Sequence, residues 1–169
     1  MRNRTLAMAA LAMLALASIG LACGKTSAAA TSRNATADNI TVAGHLDGNN
    51  FKLDATPAGD CKAGETCTAT IRLEAVGDYH INKDYPYKFK AKEAPSIEFL
   101  GSDPAGKNVF SKGAGDFTID GEKVGTMTVH FKPGAKGAVT VGGTYKLSVC
   151  SAQNCQLEQP ELSIGVTVK

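Results

Sequence analysis

The chain has 169 residues, 43% of them hydrophobic, with 18 glycines, no tryptophan and a formal net charge of +2. That length suits one globular domain behind an N-terminal extension and leaves little room for a second. Arg2 and Arg4 alone carry charge equal to the whole excess, so the remainder is close to neutral. No run of lysine and arginine interleaved with aromatics is present, which removes nucleic-acid binding from the candidate functions.

Residues 1–4 are short and basic, residues 5–22 form an almost unbroken apolar run, and the small Ala22 directly precedes Cys23. This is the layout of an export signal. A run of about 18 residues is also the shortest that spans a bilayer as a helix, but its alanine-rich composition and the lack of an aromatic or basic stop argue against a span. Ile19-Gly-Leu-Ala-Cys23 resembles a bacterial lipoprotein signal, with Gly20 where that pattern usually has leucine. The resemblance implies lipidation of Cys23 as the mature N-terminus; plain secretion is the alternative. Gly24, rather than aspartate, resembles the context of outer-membrane sorting. An anchor of more than one acyl chain holds a protein stably at a membrane, so the body is expected in the bacterial cell envelope, facing the periplasm. Residues 24–39 are small and polar with no face to bury, which predicts a flexible tether. The expected division is a signal peptide over 1–22, a lipidated cysteine and linker over 23–39, and a folded domain over 40–169.

Within that domain, 40–42 and 51–53 are short candidate strands separated by the turn-rich loop 44–50. In the segment 67–76, Cys67, Ala69, Ile71, Leu73 and Ala75 alternate with Thr68, Thr70, Arg72 and Glu74, the period-two signature of a half-buried antiparallel strand. Residues 77–90 gather Tyr79, Tyr85 and Tyr87, and Pro86 there predicts a break or a sheet edge. A short strand is expected at 97–100 and a long loop at 101–115, marked by Asp103-Pro104 and three glycines. Phe117 and Ile119 share one face of the next strand, and Asp120-Gly121 offers a hairpin turn. Met127, Val129 and Phe131 then point inward. Val139 and Val141, then Tyr145, Leu147 and Val149, and finally Leu162, Ile164, Val166 and Val168 complete the set. Roughly eight strands without helical periodicity predict an all-β, immunoglobulin-like antiparallel β-sandwich, with a barrel as the alternative.

Five cysteines are present. Setting Cys23 aside leaves Cys61, Cys67, Cys150 and Cys155, and an even number in an exported chain implies disulfides. Of three possible connectivities, loop closure favours Cys61 with Cys67 and Cys150 with Cys155. Rings this small contribute only about 2 kcal/mol of loop entropy, and a domain of this size buries an adequate core without them. Cys61-Lys-Ala-Gly-Glu-Thr-Cys67 ends on the apolar face of a strand and reads as a structural clip. Cys150-Ser-Ala-Gln-Asn-Cys155 has a small, polar and solvent-facing intervening loop, and exposed disulfides are the exchangeable ones. Neither is a Cys-x-x-Cys at a helix start, so no thioredoxin-type activation of a thiolate follows.

The late strand, the pair Cys150 and Cys155, and the apolar strand after Pro160 resemble the N-terminal periplasmic domain of the thiol:disulfide interchange protein DsbD. Gly77-Asp-Tyr-His-Ile-Asn82 resembles that family's early Gly-Tyr segment, and the likeness extends over about residues 51–169. It implies an immunoglobulin-like fold in which Cys150 and Cys155 form a redox-active disulfide. The partners it implies are a membrane electron conduit and thioredoxin-fold periplasmic proteins. Gln156-Leu-Glu-Gln-Pro160 departs from the aromatic and prolines that usually follow the second cysteine. The aromatic cap over the family's disulfide would fall within 101–112, where only Phe110 is available. The conduit and the thioredoxin-like domain have no counterpart in this sequence, so the fold carries over more directly than the activity.

His45, His80 and His130 with Met127 raise the question of copper, but a cupredoxin-like site needs His and Met closely after its cysteine, and neither follows Cys150. Isolated surface histidines are the expectation, with no metal or cofactor. The tyrosines of 77–90 read as packing rather than as a binding surface. Two functions remain: a lipid-anchored envelope protein exchanging thiol–disulfide electrons through Cys150 and Cys155, or a non-catalytic envelope binding or structural module whose disulfides are purely structural.

Overall fold

The computed structural model of the protein describes residues 44–169. The expected signal, Cys23, the tether and the 40–42 strand lie outside them. In chain order the strands are β1 (His45–Asp47), β2 (Phe51–Ala58), β3 (Cys67–Ala75), β4 (His80–Ile81), β5 (Lys88–Ala91), β6 (Ile97–Phe99), β7 (Val109–Ser111), β8 (Phe117–Asp120), β9 (Val124–Pro133), β10 (Gly137–Cys150), β11 (Cys155–Glu158) and β12 (Glu161–Val168).

Two antiparallel sheets make an immunoglobulin-like sandwich. One runs β1-β2-β3-β9-β6, with β8 also on β9. The other runs β11-β10-β5-β7, with β12 and β4 also on β10. The alternation read in β3 holds along its length, every second residue from Cys67 to Ala75 being buried. Ile71, Leu73, Met127, Val129 and Phe131 from the first sheet share one core with Phe89, Tyr145, Leu147 and Ile164 from the second. All of these but Ile164, at 1% exposure, are fully inaccessible to solvent.

Several elements differ from the sequence expectation. There are twelve described strands rather than about eight, because short ladders such as β1, β4 and β7 carry too few residues to show a period. The predicted 44–50 loop contains β1, which pairs His45 with Asp54. The predicted long loop at 101–115 contains β7, paired with β5 through Phe89 and Phe110. Pro86 does mark a break, between β4 and β5. The Asp120-Gly121 hairpin joins β8 to β9, with Gly121 at φ +65°, a conformation that favours glycine.

The apolar clusters around Val139–Val141 and Tyr145–Val149 belong to one 14-residue strand, β10. Its first half pairs with β12 from Gly137 to Thr144, and its last residues pair with β11. On its other edge it meets β5 from Gly143 to Lys146 and β4 at Val149 and Cys150. A Cβ on Gly143 would run into the Lys90 carbonyl and the Phe89 ring, so glycine is what lets β10 lie against β5 here. β10 thus carries Cys150 out of the core region to the end of the sheet.

Candidate functional site

Cys150 and Cys155 are the last residue of β10 and the first of β11, and they are disulfide-bonded. They are direct partners in the ladder, which continues through Val149 with Gln156 and Ser148 with Leu157. The backbone bonds fix the phase of this hairpin. Ser151 N–H donates to the Asn154 carbonyl at 2.7 Å, and Tyr145 N–H donates to the Pro160 carbonyl at 2.9 Å. Positions 145, 147, 149 and 151 are therefore hydrogen-bonded, while 148 and 150 are not. Side chains stand closest at non-hydrogen-bonded positions, and the Cys150 and Cys155 Cα atoms are 3.9 Å apart. The same phase turns the N–H and C=O groups of Cys155 and Leu157 away from β10.

Inward-facing Tyr145, Leu147 and Val149 put Cys150 on the opposite, outer face of the sheet. The two cysteines differ in exposure: Cys150 is only 6% exposed, whereas Cys155 is exposed. Leu157, which shares the outer face, is 65% exposed. On the other edge of β10, His80 is the direct ladder partner of Cys150, which places both residues on that same face.

The turn is held from within and from outside. The Ser151 hydroxyl accepts from the N–H groups of Gln153 and Asn154, at 3.2 and 3.3 Å. The Tyr79 hydroxyl donates to the Asn154 side-chain oxygen at 3.0 Å and accepts from the Gln156 amide at 3.4 Å. Gln156 accepts in turn from the Asn50 amide at 2.9 Å, across from the first sheet. Farther in, the Tyr87 hydroxyl donates to the Ser148 carbonyl at 2.5 Å while its ring stacks on Phe117, with centroids 4.2 Å apart. Burial pushes the hydroxyl pKa values of Tyr87 and Tyr145 up, the neighbouring Tyr87 adding to the rise at Tyr145.

Phe110, the aromatic available for a cap, is fully buried beside Phe89 and Phe99 and belongs to the core instead. The tyrosines pack as the sequence suggests: Tyr87 is buried, and Tyr79 and Tyr85 lie against the core. Tyr79, however, also braces the disulfide turn. Neither Tyr79 nor His80 was marked as part of a site by sequence, because their role comes from β4 returning beside β10, a contact some 70 residues distant in the chain. Leu157 did carry a signal: it shares the period-two phase of Cys155, on a face otherwise polar.

Cys61 and Cys67 are also disulfide-bonded, and both are 4% exposed. Cys61 forms a parallel bridge with Val168, and Lys169 N–H donates to its carbonyl at 2.8 Å. The Asp60–Lys169 ion pair at 2.6 Å completes this latch on the last strand. The three histidines are dispersed: His45 lies between Asp54 and Asp47, His130 bonds Thr68 at 3.2 Å, and His80 stands beside Cys150. His45 is not in a glycine loop but on β1, and its two carboxylate partners raise its pKa, the bond to Asp54 most of all. Among the described residues no group of three histidine, cysteine or acidic side chains converges as a metal centre.

No protein-family profile matches this chain, and no curated protein matches it in sequence. Solved structures with some likeness of fold include AggA, the major subunit of aggregative adherence fimbriae type I from Escherichia coli. That alignment has 11% identity over 74% of this chain and 99% of the other, with a TM-score of 0.35. A PapD-like domain of human CEP192 aligns at 14% identity over 73% of this chain and 91% of its own, with a TM-score of 0.29. What this chain is known to be is an all-β sandwich with two disulfides of different character.

Proposed function

We propose that the protein is a lipid-anchored envelope module that exchanges electrons through the Cys150–Cys155 disulfide with thioredoxin-fold proteins or a membrane electron conduit. The observation that carries this reading is the contrast between the two disulfides. Cys61–Cys67 is buried and ties down the last strand. Cys150–Cys155 joins no two sheets and holds no terminus: it closes a hairpin already closed by backbone bonds, and it presents Cys155 to solvent. Exposed disulfides are the ones open to exchange. Access also assigns the roles. An incoming thiolate reaches Cys155 first, and the sheltered Cys150 is the sulfur displaced. Envelope location and the anchor rest on Ile19-Gly-Leu-Ala-Cys23.

The second reading, a non-catalytic module with structural disulfides, is favoured by the in-register closure of the β10–β11 hairpin. Equilibration of the purified protein in dithiothreitol redox buffers, followed by alkylation and mass spectrometry, decides between them. Exchange predicts half-reduction of Cys150–Cys155 at a potential above about −300 mV, where structural disulfides remain oxidised, with Cys61–Cys67 intact. Resistance of both bonds below that potential would establish the structural module.

A further inference from the structure

β11 is the last strand of its sheet: β10 pairs one edge, and no described strand pairs the other. The phase of the hairpin decides which groups that open edge offers. The N–H and C=O groups of Cys155 and Leu157 point out along it, while those of Gln156 point back to β10. The same strand bears the exposed residue Cys155 and Leu157, the one large apolar side chain that stands exposed among the described residues. An unpaired edge is a template for another strand, and strand addition is a general mode of peptide recognition in which backbone bonds give affinity and alternate side chains give selectivity.

The direction of the chemistry points to the same edge. Thiol–disulfide exchange is an attack by a thiolate on one sulfur that expels the other, and the attacking atom enters in line with the bond being broken. The Cys150–Cys155 bond runs across the sheet from β10 to β11. Attack on Cys155 with Cys150 leaving therefore comes from beyond β11, over its open edge.

Resting on the exchange function proposed above, we propose that the open edge of β11 is the docking strand for a thioredoxin-fold exchange partner. The partner lays an extended backbone segment, next to its reactive cysteine, along Cys155 and Leu157, and an apolar side chain of that segment covers Leu157. Docked this way, the partner thiolate bonds to Cys155 Sγ as the Cys155–Cys150 bond breaks, and the electron pair leaves on Cys150 Sγ, which takes up a proton. The partner's second thiolate then attacks the partner sulfur of the mixed disulfide and releases Cys155 as a thiolate. The partner ends oxidised by two electrons and this protein reduced by two.

Leu157→Pro tests the edge, because proline removes one of the two N–H groups, those of Cys155 and Leu157, that face the partner and leaves the hairpin bonds of Val149 with Gln156 in place. The rate of reduction is measured with a reduced thioredoxin as the protein dithiol and with dithiothreitol as a small thiol that needs no docking. The variant is expected to react about tenfold more slowly with thioredoxin, from the lost backbone bond and apolar contact, and at the wild-type rate with dithiothreitol. Unchanged rates with both reductants would overturn the docking edge while leaving exchange intact. If the wild-type protein is reduced by neither, the exchange function fails and the docking edge with it. Should Leu157→Pro alter the dithiothreitol rate as well, Leu157→Ser decides: it keeps the N–H and removes the apolar cover, so a selective loss with thioredoxin supports the edge and its absence overturns it.

Discussion

Tyr87 and Tyr145 are both buried in the same core, but only one hydroxyl is satisfied. Tyr87 donates to the Ser148 carbonyl; the Tyr145 hydroxyl has no hydrogen-bond partner among the described residues. A buried polar group left unpaired keeps its desolvation cost, whereas a paired one gives a modest net gain. Tyr145→Phe is therefore expected to stabilise the fold by about 1 kcal/mol and Tyr87→Phe to destabilise it by about 1 kcal/mol. Urea unfolding midpoints read both signs directly. At this scale the sequence was informative where a residue's phase alone set its environment: Met127, Val129 and Phe131 point inward as their alternation requires. It could not tell that Phe110 is core rather than cap, since that depends on β7 pairing with β5. Nor could it separate Tyr79 from its neighbours, because the hydrogen bond to Asn154 crosses between segments far apart in the chain.

Among the elements, the segment from Gly101 to β7 shows how a loop acquires order without a sequence period. Asp103 caps its own turn through the Ala105 N–H at 2.8 Å, accepts from the Ser111 hydroxyl at 2.6 Å, and pairs with Lys88 at 3.3 Å. Its side chain is 10% exposed. These partners hold its carboxyl below the usual aspartate range, the Ser111 bond contributing most. A carboxylate with a depressed folded-state pKa contributes stability that is complete above the unfolded value, about 3.9, and that disappears as pH falls through the folded value. The stability gap between wild type and Asp103→Asn should thus be widest near neutral pH and close on acidification from pH 5 toward pH 2. Denaturant titrations across that range measure it, and a gap independent of pH would remove Asp103 from this role. The turn residues Asp103-Pro104 were legible as a break, but the three side-chain and backbone bonds that make the break a fixed structure were not.

Over the whole molecule, the sandwich was readable because β3, β9, β10 and β12 are long, alternate cleanly and supply most of the core. Short strands escaped notice for the opposite reason: β4 has two residues, and only its position against β10 makes it a strand. That small ladder matters, since it brings Tyr79 and His80 to the end of the molecule where the exposed disulfide lies. With no tryptophan in 169 residues, near-ultraviolet emission comes from four tyrosines. Tyr85, Tyr87 and Tyr145 make no hydrogen bond to the turn and form the background. Tyr79 alone touches the Ser151–Asn154 turn, through Asn154 and Gln156, next to a bond that quenches tyrosine emission while it is closed. The native protein therefore contains its own optical gauge of oxidation state: opening the hairpin disulfide should brighten one fluorophore of four, and Tyr79→Phe should extinguish the change.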